Sequence, residues 1–277
     1  MKKIASMLTI VAILTLALLS LTLPAYADKL DEIKAAGVLV VGTQIDFPPY
    51  EFYFPNPETG IEEPQGFEIQ MARGLAESLG VELELRDQSF SGMLTALRNG
   101  EMDCVISGLS IKPDRQEVVD FSDVYFGGKQ VLLSRTDIAD SLTKPEDLAG
   151  MRLAAMTGSL QAGVAEEQFS SANIILMDRL ALIVMDLRLG YLDGILLTDY
   201  VANTYVTLFP DELAITSVPV TYTGGKGCGV AVQKGDNETL LQAINEFLAR
   251  VKSDGTFDKW VEDAIALNAQ LIATEFE

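Results

Sequence analysis

From Val38 onward, apolar and polar positions switch between two periods. "VLVVGT" is a short continuous apolar run, the signature of a strand covered on both faces. "GFEIQMARGLAESLG" follows with Ile69, Ala72, Leu75, Ala76 and Leu79 at helical spacing, and Gly80 stops it. "VELELRD" alternates with period two, "FSGMLTALRNG" predicts a short helix ended by Gly100, and "DCVISG" predicts another buried strand. This β-α-β-α-β order predicts a parallel sheet with helices on its faces. A second unit of the same kind begins near Gln130. "KPEDLAG" places Pro145 in the first positions of a helical turn. Strand "RLAAM", loop "TGS", an amphipathic helix through Phe169, strand "NIILM", helix "RLALIVMDLRLG" and strand "GILLT" complete it. After "GGKGCGVAV" the pattern predicts a helix from about Asn237 to Lys252, then Gly255 and a last helical segment around Trp260. Two like α/β units and a late return segment predict two lobes joined by crossing strands, with ligand chemistry between them.

Composition narrows the function. A chain of 277 residues, 48% of them hydrophobic, can fill two cores. Its formal charge of −20 argues against nucleic acid, since no basic stripe is present to neutralise phosphates. The absence of histidine excludes an imidazole base, and with it the usual hydrolase triads, and argues against a zinc site. Lys2 and Lys3 precede an apolar run from Ile4 to Leu23, and Ala25-x-Ala27 fits a small-residue cleavage site. A signal peptide of residues 1–27, cut after Ala27, is the expectation; the same run is long enough to serve as a membrane anchor. No cysteine precedes Cys104, so a lipoprotein anchor is not expected. Removing the segment takes two lysines and no acid, leaving a soluble, still more acidic product outside the cytoplasmic membrane. Cys104 and Cys228 both sit in strand-like runs, where a small buried side chain is the expectation and a disulfide the alternative.

The stretch "SGLSIKPDRQEVVDFSD", Ser107 to Asp123, sets one arginine among carboxylates directly after a strand-like run. From the residues alone, Arg115 either pairs with Asp114 or Glu117 in solvent, or is held for a carboxylate of another molecule. The surrounding motifs bear on that choice. "VLVVGTQIDFPPYEF", "GFEIQMARGLAESLGVELEL", "FSGMLTALRNGEMDCVISGLSIKPDRQEVVDFSDVYF", "LAGMRLAAMTGS", "GYLDGILLTDY" and "DGTFDKW" occur in this order and span almost the whole chain after residue 27. Together they resemble the bacterial extracellular solute-binding proteins of family 3, the amino-acid receptors of ABC importers.

The resemblance implies an α/β, two-lobed periplasmic-binding-protein fold of type II. Each lobe would be a mostly parallel sheet flanked by helices, and two crossing hinge strands would join them. Residues 28–129 would form the first part of lobe 1, 130–226 lobe 2, and 227–277 the return to lobe 1. It implies capture of a free amino acid by hinge closure and delivery to a membrane permease, by a monomer with no catalytic residue, cofactor or metal. A zwitterion needs a cation for its carboxylate and an anion for its ammonium. By the family pattern Arg115 holds the carboxylate, which its planar fork suits bidentately, helped by Ser159 and the amides of the "TGSL" loop at a helix N-terminus. Asp199, the Gly108 carbonyl and the Ser110 hydroxyl would take the ammonium, with Phe47 and Phe90 flanking the ligand. Plainer readings stand beside these: Asp199 as a helix cap, Phe47 and Phe90 as core residues, Ser159 as a turn residue. Gln44 stands where several relatives carry an aspartate that meets a cationic or amide side chain, and Met156 where some carry a polar residue. These departures favour a polar, uncharged amino acid, with lysine or arginine left open because Asp46 and Glu51 lie close in sequence. Two other functions share the fold: a periplasmic prephenate- or arogenate-type dehydratase, which would need a general acid over the leaving group, and a receptor's sensor module. The end of the chain one helix after "DGTFDKW" argues against the sensor module.

Overall fold

The computed structural model describes residues 28–275 apart from positions 57, 223, 224 and 236. The expected signal segment, 1–27, lies outside the described residues. Asp28 caps the first helix, α1 (Lys29–Ala36), by accepting the Asp31 N–H at 3.1 Å. The apolar run that follows is strand β1 (Val38–Thr43). A hairpin of β2 (Phe52–Pro55) and β3 (Glu62–Gln65) leads into α2 (Phe67–Leu79), whose predicted stripe is buried at Ile69, Ala72, Leu75 and Ala76. The chain continues through β4 (Glu82–Asp87), α3 (Phe90–Arg98), β5 (Cys104–Val105), the single turn α4 (Pro113–Gln116) and β6 (Val119–Phe121).

The second unit comprises β7 (Gln130–Arg135), α5 (Thr136–Ala139), a 3-10 turn at Pro145–Leu148, β8 (Arg152–Met156), α6 (Leu160–Gln168) and β9 (Asn173–Met177). It closes with α7 (Leu180–Arg188), β10 (Gly194–Thr198), α8 (Asp199–Leu208) and β11 (Leu213–Ile215). The chain then returns as β12 (Ala231–Gln233), α9 (Glu238–Ser253) and the twenty-residue α10 (Thr256–Glu275).

The two sheets share one plan. Their strand orders are β4-β1-β5-β12-β6 and β9-β8-β10-β7-β11. In each, the first three strands are parallel, as the β-α-β periodicity predicts, and the fourth is antiparallel to both neighbours. The sheets are therefore mixed, with four of the five strands in each running one way and one against them. The reason is topological: β7 and β12 each arrive from the opposite lobe, and so run against the strands built locally. The segments that bring them cross side by side. Tyr125 N–H donates to the Cys228 carbonyl at 3.0 Å, Cys228 N–H to the Phe126 carbonyl at 2.7 Å, and Ser122 N–H to the Val230 carbonyl at 2.9 Å. Both cysteines are buried and unbridged, as small core residues. Helix α10 packs on α2 of the first unit and on α8 of the second, strapping the lobes on one side. No helix among the described residues is long and apolar enough to cross a membrane.

Candidate functional site

The carboxyl ends of β1, β5, β8 and β10 converge between the sheets, where open α/β sheets bind ligands. The chain leaves those ends at Gln44, Ile106, Thr157 and the β10 end residue Thr198. A cavity there is lined by seven of the eight residues expected from sequence: Gln44, Phe47, Phe90, Gly108, Ser110, Arg115 and Ser159. Tyr50, Glu51, Met156, Thr198 and Cys228 also line it.

Arg115 sits in α4, begun by Pro113, and is only 5% exposed. Its Nη1 donates to the Ser110 carbonyl at 2.7 Å, and its Nη2 crosses to the second lobe's Gly158 carbonyl at 3.0 Å. The guanidinium carbon lies 5.5 Å from the centre of the Phe90 ring. Asp114 pairs with Lys112 at 3.3 Å, and among the described residues no carboxylate comes within 4.0 Å of Arg115. The solvent-exposed pair with Asp114 or Glu117 is thus not formed. Burial lowers the pKa of Arg115, with the Asp114 charge opposing. A guanidinium has five N–H donors, and the two backbone carbonyls take one each.

Phe47 and Phe90 are half-buried: they rest on the core and turn one face to the cavity. Phe47 packs on Tyr50 with ring centres 5.2 Å apart. Both rings lie over Gly108, whose φ of 55° favours glycine; a Cβ there would meet Phe47 at 3.5 Å and Tyr50 at 3.7 Å. Ser159 is the N-cap of α6, accepting the Ala162 N–H at 3.1 Å, so it serves as cap and cavity wall together.

Gln44 reaches the wall with its polar atoms committed. Its amide donates to Asp46 Oδ1 at 2.7 Å and to the second-lobe Asp178 carbonyl at 3.1 Å, and its Oε1 accepts the Phe90 N–H. Asp46 continues the bridge by accepting from Arg179 Nε at 3.0 Å and from Leu180 N–H, at the start of α7, at 3.2 Å. These residues form a clasp between the lobes.

The structure does not bring Asp199 to the cavity. Its Oδ1 accepts the N–H groups of Lys129 at 3.2 Å and Tyr200 at 3.0 Å, which ties the crossing segment to α8. Gly128 permits that approach, because a Cβ there would lie 2.5 Å from Asp199 Oδ1. The residue before it, Thr198, faces the cavity instead. One position separates them, and the strand-to-helix turn sends them to different sides.

Behind the cavity lies a buried carboxyl pair, Glu51 and Glu68, each 1% exposed. Ser107 Oγ donates to Glu51 at 2.8 Å; Gly108 N–H and the Tyr125 hydroxyl donate to Glu68. Burial, and then the neighbouring Glu68 charge, push Glu51 well above the usual carboxylate range. Burial raises Glu68 as well, but the donors around it favour its charged form, so Glu51 holds the proton. Burial also raises the Cys228 thiol, which feels Glu68 and Arg115 with opposite sign. The cavity is therefore polar at two places, cationic at Arg115 and anionic at the glutamate pair. Among the described residues no His/Cys/Asp/Glu cluster could hold a metal. Sequence reading missed Tyr50 and Thr198 as lining residues and had Glu51 only as an acid close by in sequence. Tyr50 and Glu51 sit within the quoted "FPPYEF", where the adjacent prolines were a signal that the chain turns back on the site.

Residues 39–265 match the family model described as bacterial extracellular solute-binding proteins, family 3. The L-cystine-binding protein TcyJ of Escherichia coli K12 is 30% identical over 247 residues, covering 87% of this chain and 89% of its own. Among solved structures, the amino-acid ABC transporter substrate-binding protein AbpA of Streptococcus pneumoniae, bound to L-arginine, superposes with a TM-score of 0.82. It is 30% identical, and the match covers 86% of this chain and 99% of that one. The ancestral amino-acid-binding protein AncCDT-1, described as a precursor of cyclohexadienyl dehydratase, gives 0.76 at 32% identity over 85% and 99% of the two chains.

Proposed function

The chain belongs to the bacterial extracellular solute-binding proteins of family 3, and from that premise we propose that it captures a free amino-acid zwitterion between its lobes and delivers it to an ABC importer's permease. The observation that carries this reading is Arg115: a buried arginine in the cavity wall, with donors to spare and no carboxylate of the described chain within 4.0 Å. A ligand carboxylate supplies the missing anion, and Ser159 at the start of α6 adds a helix N-terminus beside it. The likeness to TcyJ and AbpA supports an amino acid as the ligand.

The mechanism is closure about the crossing segments, with lobe 1 formed by 28–129 and 227–277 and lobe 2 by 130–226. A ligand touching both lobes favours the arrangement in which Arg115 reaches Gly158 and the clasp is made, by its differential affinity for the two states. Side-chain selection falls to Phe47, Phe90 and Met156, since Gln44 is engaged in the clasp; this apolar wall offers no counter-charge and fits an uncharged side chain. The exported protein begins at Asp28, the cap of α1, and acts as a monomeric binding protein rather than a dehydratase.

A thermal-shift screen of the twenty amino acids identifies the ligand, because tight binding raises apparent stability by mass action. Calorimetric titration then tests the carboxylate contact. Arg115→Ala is expected to cost about 2–5 kcal/mol, or roughly thirty- to several thousand-fold in affinity. Arg115→Lys should also bind poorly, because a point charge cannot reproduce the fork. Near-wild-type affinity in Arg115→Ala would sink the zwitterion reading.

A further inference from the structure

We infer that the groove between α8 and α10 is a second binding site, for a neutral polyhydroxyl molecule the size of a monosaccharide, and that filling it favours the arrangement in which the clasp is made. The second part rests on the hinge closure proposed above; the binding itself does not. Two helical stripes meet at the groove, Tyr200, Asn203, Thr204 and Thr207 on α8 and Ile265 and Asn268 on α10, at three- and four-residue spacing. Helices ordinarily close on a neighbour through apolar stripes, whereas this contact is largely polar and leaves a cavity of about 260 Å³. Asn268 is 3% exposed, and its Oδ1 has no hydrogen-bond partner among the described residues. A buried amide oxygen is ordinarily satisfied, so one left open against a cavity marks where a bound group completes the hydrogen bonding. The cavity has room for about eight waters, or for one guest of similar bulk.

The lining selects the guest. Asn203 commits its Nδ2 to the Asp199 carbonyl at 2.7 Å, and Thr204 its hydroxyl proton to the Tyr200 carbonyl at 3.1 Å. That leaves acceptors: Asn203 Oδ1 and the Thr204 hydroxyl oxygen, beside Asn268 Oδ1. Among the described residues no charged side chain lines the groove, so an ion entering it would exchange water for uncharged oxygens alone, which is unfavourable. A polyol brings several O–H donors and no charge. The Tyr200 ring and Ile265, 36% and 44% exposed, supply apolar surface of the kind that covers the C–H face of a sugar ring. Tyr200 also packs on Phe126 of the first crossing segment, with ring centres 4.7 Å apart, so the groove wall reaches the hinge. Helix α8 belongs to the second unit, and α10 follows the chain's return to the first. A guest touching both helices favours the arrangement that brings them together, by its differential affinity for the two states.

Amide NMR of the exported chain, titrated with D-glucose and with myo-inositol, tests the site. Saturable shifts are expected at Thr204, Thr207 and the Asn268 side-chain amide, and not at Gly108 in the Arg115 cavity. Asn268→Leu, of similar shape, should weaken binding of the polyol about tenfold or more and raise the apo melting temperature, because it removes a buried unpaired acceptor. Ala269 also lines the groove and is exposed, so Ala269→Trp should fold and exclude the guest while leaving Asn268 in place. Small-angle scattering of the apo protein should give a smaller radius with polyol in wild type and no change in Ala269→Trp. Shifts that rise without saturating overturn the inference, as do saturable shifts that persist undiminished in Ala269→Trp. A larger saturable response to ammonium chloride than to either polyol makes the groove a cation site and overturns it too. Saturable binding with an unchanged radius overturns the link to closure. None of these measurements uses an amino acid, so their failure is distinct from failure of the zwitterion reading, which the Arg115 titrations decide.

Discussion

Phe47 and Phe90 are aromatic side chains held half in the core and half in the cavity, and that division sets what each can contribute. Neighbours hold each ring, Tyr50 beside Phe47 and the Arg115 guanidinium over Phe90. The open face is left to cover a ligand and exclude water. Phe47→Ala is therefore expected to weaken amino-acid binding by about 1–3 kcal/mol through lost apolar contact and any cation–π attraction, with the apo fold retained. Calorimetry beside apo melting curves checks this; a large loss of apo stability with unchanged affinity would make Phe47 a core residue. Gln44 shows the reverse case. Its side chain borders the cavity, yet its hydrogen bonds run to Asp46, Asp178 and Phe90, so its role is in joining the lobes.

At the scale of elements, the clasp depends on where α7 begins. Asp46 meets the N–H of Leu180 at the first turn of that helix, where a carboxylate is favoured by the free N–H groups and the helix dipole. The Arg179 partner is half-exposed and adds less, as surface ion pairs do. Asp46→Ala should thus favour the open arrangement without touching the ligand. The expected outcome is a uniform fall in affinity, about three- to tenfold for every amino acid bound, together with a larger apo radius in small-angle scattering. A loss that depended on the ligand side chain would instead put Asp46 in the specificity wall.

Over the whole molecule, buried carboxyls give the apo protein a pH signature. Glu51's native pKa is raised above its ordinary value of 4.5 by burial and by Glu68. The folded state then holds a proton that the unfolded chain releases, so this contribution is full below about 4.5 and is lost as pH rises through the raised native value. Asp193 works in the opposite sense: its hydrogen bonds from Arg152 lower its pKa, giving stability that is lost as pH falls below the ordinary carboxylate value. Melting curves from mildly acidic to alkaline pH should show wild type losing stability relative to Glu51→Gln as pH rises. Parallel curves would mean that Glu51 is ionised in the native protein.

The elements were legible in the sequence because their causes are local. A continuous apolar run becomes a strand such as β1 and a 3.6-residue stripe becomes α2, and each pattern needs only its own neighbours. The block containing Ser107, Gly108, Ser110 and Arg115 was legible for a related reason, since strand, turn and arginine stand in one short stretch. The direction of β7 and β12 was not, because it follows from which lobe the chain has just left. Nor was the choice between Thr198 and Asp199. Adjacent residues at the end of β10 differ in which side of the turn they face, and only the packing of α8 against the crossing segment fixes that. Tyr50, Glu51 and Thr198, which line one cavity, are up to 148 positions apart. Periodicity carries no information about such a meeting. Sequence determined the elements and the arginine; the tertiary structure decided which side chains share its cavity, because burial and mutual distance are properties of the folded chain alone.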